Sequence, residues 1–210
     1  MMILWDWNGT LVADVPHVVA MNNLVLEQFG YRHTSEVEYR AKFRHPVHEY
    51  YYDLGVTAED FPKIAKFWNK AYVDGFACVP LAPGVADAVR RFHDAGFRQA
   101  IISASQVDQL RAQVEHFPQL RGMFDPVLGL DNQLAVSKVQ LAVDFLAREG
   151  IDPAECVFIG DTTHDAETAA AIGCRCYLVA GGHQEESVLH TAQNATVVDS
   201  ISAVLDALGV

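Results

Sequence analysis

An aspartate lies at the end of the first apolar segment of the chain and precedes a tight turn. The segment Met2–Trp7 contains Asp6, and Asn8 and Gly9 follow it. A carboxylate at the carboxyl end of a buried strand, beside a turn with free backbone N–H groups, can hold a cation and a phosphate together. Asn-Gly pairs also occur as plain turn chemistry. This segment alone therefore leaves the function open.

A second pair of carboxylates follows a later apolar segment. The segment Cys156–Ile159 is typical of a buried strand, and Asp161 and Asp165 come soon after it. Each could be structural, Asp161 as a turn residue and Asp165 as the N-cap of a helix that ends at Gly173. Two strands that end in aspartate at one sheet edge, however, supply the few carboxylates that a partly hydrated Mg²⁺ needs. The two motifs together favour a magnesium site.

A hydroxyl and a cation could complete a phosphate site. Ser103 ends the apolar segment Arg98–Ser103, and Ala104 and Ser105 follow. A serine there can donate to a phosphate oxygen through its side chain and through the turn amides, although serine at a strand end is common. Lys138 opens a helical segment. Because the start of a helix disfavours a cation, we expect Lys138 to have a partner.

The elements that position these residues alternate between strand and helix. Short apolar segments predict strands at Met2–Trp7, Arg98–Ser103, Pro126–Leu130, Cys156–Ile159, Arg175–Val179 and Ala195–Val198. Amphipathic segments of helical length lie between them, at Val85–Ala95, Ser137–Gly150 and Asp165–Gly173. Strands that are apolar throughout and alternate with such helices predict an α/β protein with a parallel sheet covered on both faces.

One long segment interrupts this alternation. Between about Val15 and Pro80 no convincing buried strand is visible, and helical patterns cover Pro16–Phe29, Ser35–Phe43, Pro46–Leu54 and Ala58–Tyr72. We therefore predict a helical domain over residues 15–81, inserted into a core domain formed by residues 1–14 and 82–210. The insertion would leave and re-enter at the carboxyl edge of the sheet, where open parallel sheets bind their ligands.

The composition argues against several classes of protein. The 210 residues include 27 acidic and 15 basic side chains, which gives a formal net charge of −12, and 50% are hydrophobic. Such a chain is too apolar to be disordered, and its acidity argues against a nucleic-acid partner. The apolar runs are far shorter than the ~20 residues that span a membrane. Because no basic segment precedes Asp6, we expect no signal peptide and a cytoplasmic location. Because an acidic protein is repelled by anionic lipids, we expect no membrane partner.

Four separated motifs occur in a fixed order along the chain. They are Asp6 with the Asn-Gly-Thr-Leu turn, Ser103, Lys138, and Asp161 with Asp165, and the helical insertion follows the first. This order resembles the haloacid dehalogenase-like superfamily of hydrolases, and specifically its phosphoglycolate phosphatase-like branch with a helical cap. The resemblance covers essentially the whole chain. It implies an α/β fold with a three-layer, Rossmann-like parallel sheet core and an inserted α-helical cap domain.

The resemblance also implies a role for each motif residue. Asp6 would be the nucleophile that forms an aspartyl-phosphate, which water then hydrolyses. Lys138 would neutralise the nucleophile and the transferring group. The implied Mg²⁺ ligands and supports are Asp6, Asn8 through its backbone carbonyl, Asp161 and Asp165. The residues expected to bind the phosphoryl group are Gly9, Thr10, Ser103 and Ala104.

One position departs from the family pattern. Most phosphatases of this superfamily have a second aspartate two residues after the nucleophile as the catalytic acid and base, and this chain has Asn8 there. A carboxamide cannot exchange a proton near neutral pH, and general acid–base catalysis typically contributes about 10²–10⁴-fold. Three outcomes stay open: slow turnover, a leaving group that needs no protonation, or a stand-in acid such as His17, His45 or His164.

Substrate selection is expected in the inserted helices, which would face the active edge and could close over it. A basic cluster lies there: Arg40, Lys42, Arg44, His45 and His48. It could recognise an anionic substrate such as a phospho-carboxylate, with Arg44 and His45 as substrate-binding residues beside the turn at Pro46. Alternatively, it is a solvated helix face paired with Glu36, Glu38 and Glu49. Aromatic residues at helical spacings, including Tyr50–Tyr52, Phe61, Phe67, Trp68 and Tyr72, are expected to form the core of the insertion.

The sequence thus predicts a Mg²⁺-dependent phosphatase that acts, as a monomer or homodimer, on a small anionic phosphorylated metabolite resembling phosphoglycolate. Asn8 keeps open a low-activity or non-catalytic member that binds a phosphorylated ligand or a partner protein. Carbon–halogen hydrolysis would leave Asp161 and Asp165 unexplained, and phosphonate cleavage would need a Schiff-base lysine such as Lys42. A mutase uses the same aspartyl-phosphate, and the sequence does not separate it from a phosphatase.

Overall fold

The computed structural model describes residues 1–131 and 138–210. The strands in these ranges are β1 (Met2–Trp5), β2 (Arg98–Gln106), β3 (Val127–Leu130), β4 (Cys156–Gly160), β5 (Arg175–Val179) and β6 (Thr196–Val198). They form one sheet in the order β3-β2-β1-β4-β5-β6, and every neighbouring pair is parallel. All the predicted strands are present, and the predicted α/β, Rossmann-like parallel sheet is confirmed.

Helices pack on both faces of the sheet. Between β1 and β2 lie α1 (Val15–Gln28), α2 (Glu36–Lys42), α3 (Val47–Asp53) and α4 (Phe61–Gly75). The later helices are α5 (Val85–Asp94), α6 (Val107–Glu115), α7 (Lys138–Glu149), α8 (Thr163–Ile172), α9 (Glu186–Leu189) and α10 (Ile201–Leu208). Short 3₁₀ helices cover Phe76–Cys78, Pro118–Leu120 and Pro153–Glu155. Ser137, the predicted first residue of the α7 segment, lies outside the described residues.

The alternation of side chains along β1 produces the layers. Successive strand residues point to opposite faces of a sheet. Ile3 and Trp5 belong to one buried cluster, which continues into α5, α10 and the inserted helices α1 to α4. Met2 and Leu4 belong to a second cluster, which α7 and α8 cover. The sheet is therefore the middle of three layers, as predicted.

The inserted helices leave and return through two adjacent chain segments. Val12 and Leu81 form an antiparallel bridge. The backbone N–H of Ala13 donates to the carbonyl of Pro80 at 2.9 Å, and that of Ala82 donates to Leu11 at 3.0 Å. Between residues 14 and 80, all of which the structure describes, the chain forms helices and loops without a strand. The division into domains at 15 and 81 stays a prediction.

The register of the central strands brings the motif residues to one edge. Trp5 is paired with Ile101 of β2 and with Ile159 of β4. Asp6 continues this alignment, because its backbone N–H donates to the carbonyl of Ile159 at 2.9 Å. Residues that follow β1 and β4, together with Ser103 in β2, therefore meet at the carboxyl edge of the sheet, beside the inserted helices.

One local prediction needs correction. The α8 helix begins at Thr163, and its N-cap is Thr162 rather than Asp165. Asp165 lies one turn inside the helix and completes a capping box, because its side chain accepts from the backbone of the cap residue. The helices α6, α9 and α10 were not predicted. Across the two described ranges, no helix is long and apolar enough to cross a membrane.

Candidate active site

Three buried carboxylates and one buried ammonium group meet at the carboxyl edge of the sheet. Oxygen atoms of Asp6, Asp161 and Asp165 all lie within 4.8 Å of one another. Lys138, the first residue of α7, donates through Nζ to Oδ1 of Asp6 and, at 2.5 Å, to Oδ1 of Asp165. The expected partner of this helix-opening lysine is thus a pair of aspartates.

The four groups strongly influence one another's protonation. Burial raises the pKa of Asp6 to about 8, and the charge of Lys138 only partly opposes this effect. Burial also raises the pKa of Asp161 to about 6. Burial alone would lower the pKa of Lys138, but the charges of Asp165 and Asp6 outweigh it and raise that pKa further above its usual value. Negative charge at this edge is therefore undercompensated by the protein.

Asp161 and Asp165 are fixed by their immediate neighbours. Asp161 accepts from the hydroxyl of Thr10 at 2.8 Å and from the backbone N–H of His183 at 2.5 Å. Asp165 accepts from the hydroxyl of Thr162 at 2.7 Å and from its backbone N–H at 2.9 Å. Burial would raise the pKa of Asp165, but Lys138 and Thr162 together lower it below its usual value. Both carboxylates are therefore held in defined orientations.

A glycine is required beside Asp161. Gly9 has φ +72°, and a Cβ atom there would overlap the carboxylate of Asp161 and the ring of His183. A positive φ is readily accessible to glycine, whereas a side chain would be strained. The backbone N–H of Gly9 donates to Asp14 at 2.8 Å. In this structure the turn amide of Gly9 is thus occupied by the protein itself.

The carboxylate cluster fits a divalent cation. Its donors are oxygen atoms from three buried aspartates, which is the ligand type that Mg²⁺ prefers. One lysine against three carboxylates leaves a formal excess of two negative charges, and buried charges are costly unless they are compensated. Asp6, Asp161 and Asp165 are therefore the residues that could hold the metal, with the carbonyl of Asn8 as a predicted further ligand.

The predicted phosphoryl-binding residues divide into two groups. Ser103 is buried in β2 and lines a cavity of about 380 Å³ together with Ala104, Asp6 and Lys138. The hydroxyl oxygen of Ser103 accepts from the backbone N–H of Ser105 at 3.1 Å. Gly9 and Thr10 do not line this cavity; they lie behind it, against Asp14 and Asp161.

Asn8 is the centre of a partly buried hydrogen-bond network. Its Nδ2 group donates to Asp14 at 2.8 Å and to the hydroxyl of Tyr72 at 2.7 Å. Its Oδ1 atom accepts from the hydroxyl of Ser105 at 2.8 Å. Tyr72 itself donates to Asp14 at 2.8 Å. The side chain that replaces the usual acid is thus hydrogen-bonded through both of its polar atoms.

Asp14 and His183 are site residues that the sequence analysis missed. His183 Nε2 lies 3.2 Å from Oδ1 of Asp14, as an ion-pair contact without good hydrogen-bond alignment. Burial would lower the pKa of His183, but Asp14 raises it to about 9; in turn the charge of His183 keeps the pKa of Asp14 below its usual value. His183 follows β5 at the same sheet edge, after two glycines, and this position was the available signal. Nothing in the sequence around Asp14 distinguishes it from a turn residue.

The inserted helices contribute most of the remaining cavity wall. Their aromatic lining residues are Tyr39, Phe43, Tyr50, Tyr51, Phe61, Trp68 and Tyr72. Several of these also belong to, or pack against, the hydrophobic cluster under the helices. The expectation that the aromatic residues form only the core of the insertion was therefore incomplete, because many of them have one side on the core and another on the cavity. Phe67 is largely exposed and does not line the cavity.

Two of the histidines considered as stand-in acids line the cavity. The rings of His45 and His164 lie 4.7 Å apart. Burial, reinforced by His164, lowers the pKa of His45 to about 4. His164 Nδ1 lies 3.0 Å from a carboxylate oxygen of Glu167. His17 does not line this cavity, and its Nε2 lies 3.0 Å from the carbonyl of Tyr72.

The basic cluster of the insertion is paired with acidic residues. Arg40 pairs with Glu36, and Lys42 pairs with Glu38. Arg44 contacts Asp53 at 2.5 Å and Glu49 at 3.4 Å. None of these three cations lines the cavity. For Arg40, Lys42 and Arg44, the structure shows the second alternative, in which the cations are paired with acidic residues. His45 lines the cavity and Arg44 does not, because the guanidinium of Arg44 pairs with Asp53 and Glu49.

Comparisons with known proteins agree with this architecture. The family described as "Haloacid dehalogenase-like hydrolase" matches residues 3–179. A phosphoglycolate phosphatase from Synechococcus elongatus is 27% identical over 98% of this chain and 96% of its own length. The predicted resemblance to these hydrolases, including the phosphoglycolate phosphatase-like branch, is confirmed.

Solved structures show the same fold. A haloacid dehalogenase-like hydrolase from Streptococcus pneumoniae has a TM-score of 0.84 and 18% identity, with 99% of this chain and 97% of that chain covered. A hydrolase of the same family from Deinococcus radiodurans, crystallised with bound phosphate and sodium, has a TM-score of 0.76 and 20% identity over 99% and 94% of the two chains.

Proposed function

This chain belongs to the haloacid dehalogenase-like hydrolases, and from that membership we propose that it is a Mg²⁺-dependent phosphatase that hydrolyses a small phosphomonoester through an aspartyl-phosphate on Asp6. The observation that carries the proposal is the contact of Asp6 with Lys138, both of which line the cavity, beside Asp161 and Asp165. The names of the matched relatives make phosphoglycolate a substrate to test.

In the first step, a carboxylate oxygen of Asp6 attacks phosphorus and the bond from phosphorus to the leaving oxygen breaks. The bonding electrons go to the leaving oxygen, which takes a proton from water or a cavity group. Water then attacks the phosphorus of the aspartyl-phosphate, which releases phosphate and restores Asp6. Lys138 keeps Asp6 oriented through its hydrogen bond and supplies positive charge to the transferring group.

Electrostatic compensation is the main task of the remaining residues. Asp161 and Asp165, with Asp6, would hold Mg²⁺, which when bound shields the repulsion between the anionic nucleophile and the anionic substrate. Ser103 lines the cavity next to Asp6 and can donate its hydroxyl to a phosphoryl oxygen. Ala104 and Ser105 line the same cavity; they continue β2, which extends beyond the predicted end at Ser103 to Gln106.

Proton transfer to the leaving oxygen is the weak point of this site. Asn8 has no group that titrates near neutral pH, so it cannot act as a general acid. His45 has a pKa of about 4 and is therefore neutral near pH 7, where it can accept a proton but cannot act as an acid. His164 also lines the cavity. Lys138, together with a bound Mg²⁺, would compensate the charge of the phosphoryl group, but the chain provides little assistance to a poor leaving group.

The alternatives receive less support. A purely binding member would not need a buried lysine between a nucleophile and its neighbouring acid. Carbon–halogen hydrolysis leaves Asp161 and Asp165 without a role, and Lys42 is bonded to Glu38 outside the cavity, away from a position for Schiff-base chemistry. A mutase uses the same residues, and product analysis separates it from a phosphatase. A cytoplasmic location and the oligomeric state stay predictions.

The test is phosphate release from a panel of phosphomonoesters that includes phosphoglycolate. Wild type is compared with Asp6→Asn, with Mg²⁺ and with EDTA, and Asp87→Asn on the exposed face of α5 serves as a matched control. We expect release only in the presence of Mg²⁺, full activity in the control, and background activity in Asp6→Asn. Equal release by wild type and Asp6→Asn would contradict the proposal.

A further inference from the structure

The cavity contains little positive charge for the part of a substrate beyond its phosphoryl group. In the described ranges, Lys138 is the only lysine or arginine that lines the cavity, and it already contacts Asp6 and Asp165. Residues 132–137 contain no lysine or arginine. His183 lines the cavity, but Asp14 compensates it at 3.2 Å. A carboxylate on the leaving group would therefore find no uncommitted cation among these residues.

His45 does not change this conclusion. It lines the cavity, but its pKa of about 4 leaves it neutral near pH 7. The cations expected to recognise a phospho-carboxylate, Arg40, Lys42 and Arg44, are all paired with acids outside the cavity. Burying a carboxylate without a partner is costly. The structure therefore disfavours a leaving group that carries a carboxylate.

Much of the cavity wall formed by the inserted helices is aromatic. Trp68 and Tyr72 are stacked, with ring centroids 4.9 Å apart and an interplanar angle of 16°. Phe43, Tyr50 and Phe61 line the same cavity. Flat aromatic faces of this kind bind planar apolar groups through stacked or edge-to-face contacts. This surface is suited to an aromatic leaving group.

Asn8 points to the same kind of leaving group for an independent reason. Its amide is fully engaged by Asp14, Tyr72 and Ser105, and it cannot supply a proton. A phenolic oxygen has a pKa near ~10, against ~16 for water, so it departs as an anion far more readily than an alkyl oxygen. An aryl ester therefore tolerates a site without the usual acid.

From these observations, and resting on the proposed phosphatase activity, we propose that the preferred substrate is an aryl phosphomonoester whose aromatic group is uncharged. Asp6 forms a bond to phosphorus as the bond to the aryl oxygen breaks. The electron pair leaves with the aryl oxygen, and the resulting phenolate takes its proton from water. The aromatic ring of the substrate packs against the cavity wall formed by Trp68, Tyr72 and their aromatic neighbours.

Binding of two non-hydrolysable phosphonates tests the ligand preference without requiring turnover. Benzylphosphonate replaces the ester oxygen of phenyl phosphate by a methylene, and 3-phosphonopropionate does the same for phosphoglycolate. We expect calorimetry in Mg²⁺ to give a dissociation constant at least about ten-fold lower for benzylphosphonate. Equal affinities, or tighter binding of 3-phosphonopropionate, would overturn the proposal.

Two variants test whether Trp68 contacts the aromatic ring of the ligand. Trp68→Leu is expected to weaken benzylphosphonate about ten-fold and to leave 3-phosphonopropionate unchanged within about two-fold. Phe67→Leu, an aromatic truncation at the neighbouring exposed position, should change neither. Equal weakening of both ligands by Trp68→Leu would show that the residue acts through the structure of α4, and would count against the proposed ring site.

Rates of turnover separate the effect of leaving-group reactivity from the effect of a carboxylate on the leaving group. The expected kcat/KM is at least about ten-fold higher for phenyl phosphate than for 4-carboxyphenyl phosphate, although the second has the more reactive leaving group. Benzyl phosphate, with an alkyl oxygen, should be slower than phenyl phosphate. A preference for the carboxylated esters would overturn the inference and leave the phosphatase intact. Failure to hydrolyse any ester, with the binding order retained, would instead overturn the phosphatase activity.

Discussion

Asn8 joins residues that belong to the sheet edge and to the inserted helices. Its amide donates to Asp14 and to Tyr72 of α4, and accepts from Ser105, which belongs to β2. An amide suits this position because it offers a donor to a carboxylate and an acceptor to a hydroxyl. An aspartate there would present an oxygen to Asp14 at about the same distance, and the two like charges would repel each other.

For this reason we expect Asn8→Asp to lower stability without restoring activity. Loss of the donated hydrogen bonds and repulsion from Asp14 should reduce the free energy of unfolding by about 1–3 kcal/mol. Denaturant titration measures the stability, and phosphate release measures the activity. A sharp increase in turnover, with stability unchanged, would mean that Asp14 does not hold the amide and that the native enzyme is damped by Asn8.

A double-mutant cycle checks that the effect arises from the contact with Asp14. The variant Asn8→Asp/Asp14→Asn again contains one amide and one carboxylate. We expect it to be less destabilised than the sum of the two single variants, because neighbouring residues that share a hydrogen bond are not additive. Simple additivity would assign the effect of Asn8→Asp to something other than this pair.

His45 should make the protein sensitive to mild acid. Its pKa falls from 6.5 to about 4, first through burial and then through the charge of His164. Between these values the unfolded chain binds a proton that the folded chain does not, so this residue lowers stability as the pH falls from about 6.5 to about 4. After allowance for partial exposure, the loss is on the order of 2 kcal/mol.

Thermal unfolding at several pH values measures this effect. His45→Gln should lose less stability than wild type between pH 6.5 and pH 4. His93→Gln, which changes an exposed histidine on α5, should follow wild type. Parallel profiles for wild type and His45→Gln would show that His45 is not kept neutral by its surroundings.

At the scale of elements, the α2 helix is attached to the loop after β5. The hydroxyl of Tyr39 lies 2.7 Å from Nδ1 of His183, and both groups are buried. The guanidinium of Arg40 donates to the carbonyls of Gly181 and Gly182, and the carbonyl of Arg40 accepts from Glu185 at 2.9 Å. These contacts hold an inserted helix against the loop that carries His183.

Tyr39→Phe should weaken this attachment. It leaves a ring nitrogen of His183 without its partner in a buried position, so we expect a loss of about 1–3 kcal/mol in the free energy of unfolding. Tyr31→Phe removes a hydroxyl that donates to Asp60 in a more exposed setting and should cost less. Chemical denaturation compares the two. An equal, small loss for both would show that the Tyr39 contact contributes little.

The sequence predicts strands better than it predicts cavity walls. Apolar runs such as Cys156–Ile159 are recognisable because a parallel strand is buried on both faces, and the observed strand adds only Gly160. The α6 helix was missed because its short segment is rich in glutamine and only weakly patterned. For Trp68 and Tyr72, helical spacing predicts burial but does not distinguish a core from a cavity. That distinction depends on how the inserted helices sit over the sheet.

The site residues also divide into those that local sequence predicts and those that depend on tertiary packing. Asp6, Lys138, Asp161 and Asp165 are predictable because each lies at the end of a strand or the start of a helix. Their mutual contacts then follow from the strand order. Asp14 and His183 are not predictable as a pair, because they are far apart in sequence and meet only when two loops pack together. The outward pairing of Arg44 with Asp53 likewise depends on a side-chain choice that spacing does not determine.

At the scale of the whole molecule, the chain has a formal net charge of −12, and this total includes three buried site carboxyl groups that share one lysine. A divalent cation that binds the folded state should therefore stabilise the protein. At a Mg²⁺ concentration 100 times the dissociation constant the gain is about 2.7 kcal/mol. For a chain of this size that corresponds to roughly 5–10 °C in the midpoint of unfolding.

Differential scanning fluorimetry with Mg²⁺ and with EDTA measures this shift independently of activity. Asp161→Asn should lose most of it, whereas Asp94→Asn, at an exposed position of α5, should retain it. If Mg²⁺ moved the midpoints of wild type and Asp161→Asn equally, the cation would be acting elsewhere on this acidic protein.

The most direct test concerns the covalent step on Asp6. Borohydride reduces an acyl phosphate to an alcohol, so an aspartyl-phosphate trapped during the first turnover would convert Asp6 to homoserine. Mass spectrometry of the peptide that contains residue 6 should detect homoserine in wild type supplied with Mg²⁺ and phenyl phosphate, and should not detect it in Asp6→Asn. Rapid phosphate release with an unmodified Asp6, or with the modification at another residue, would contradict the proposed mechanism.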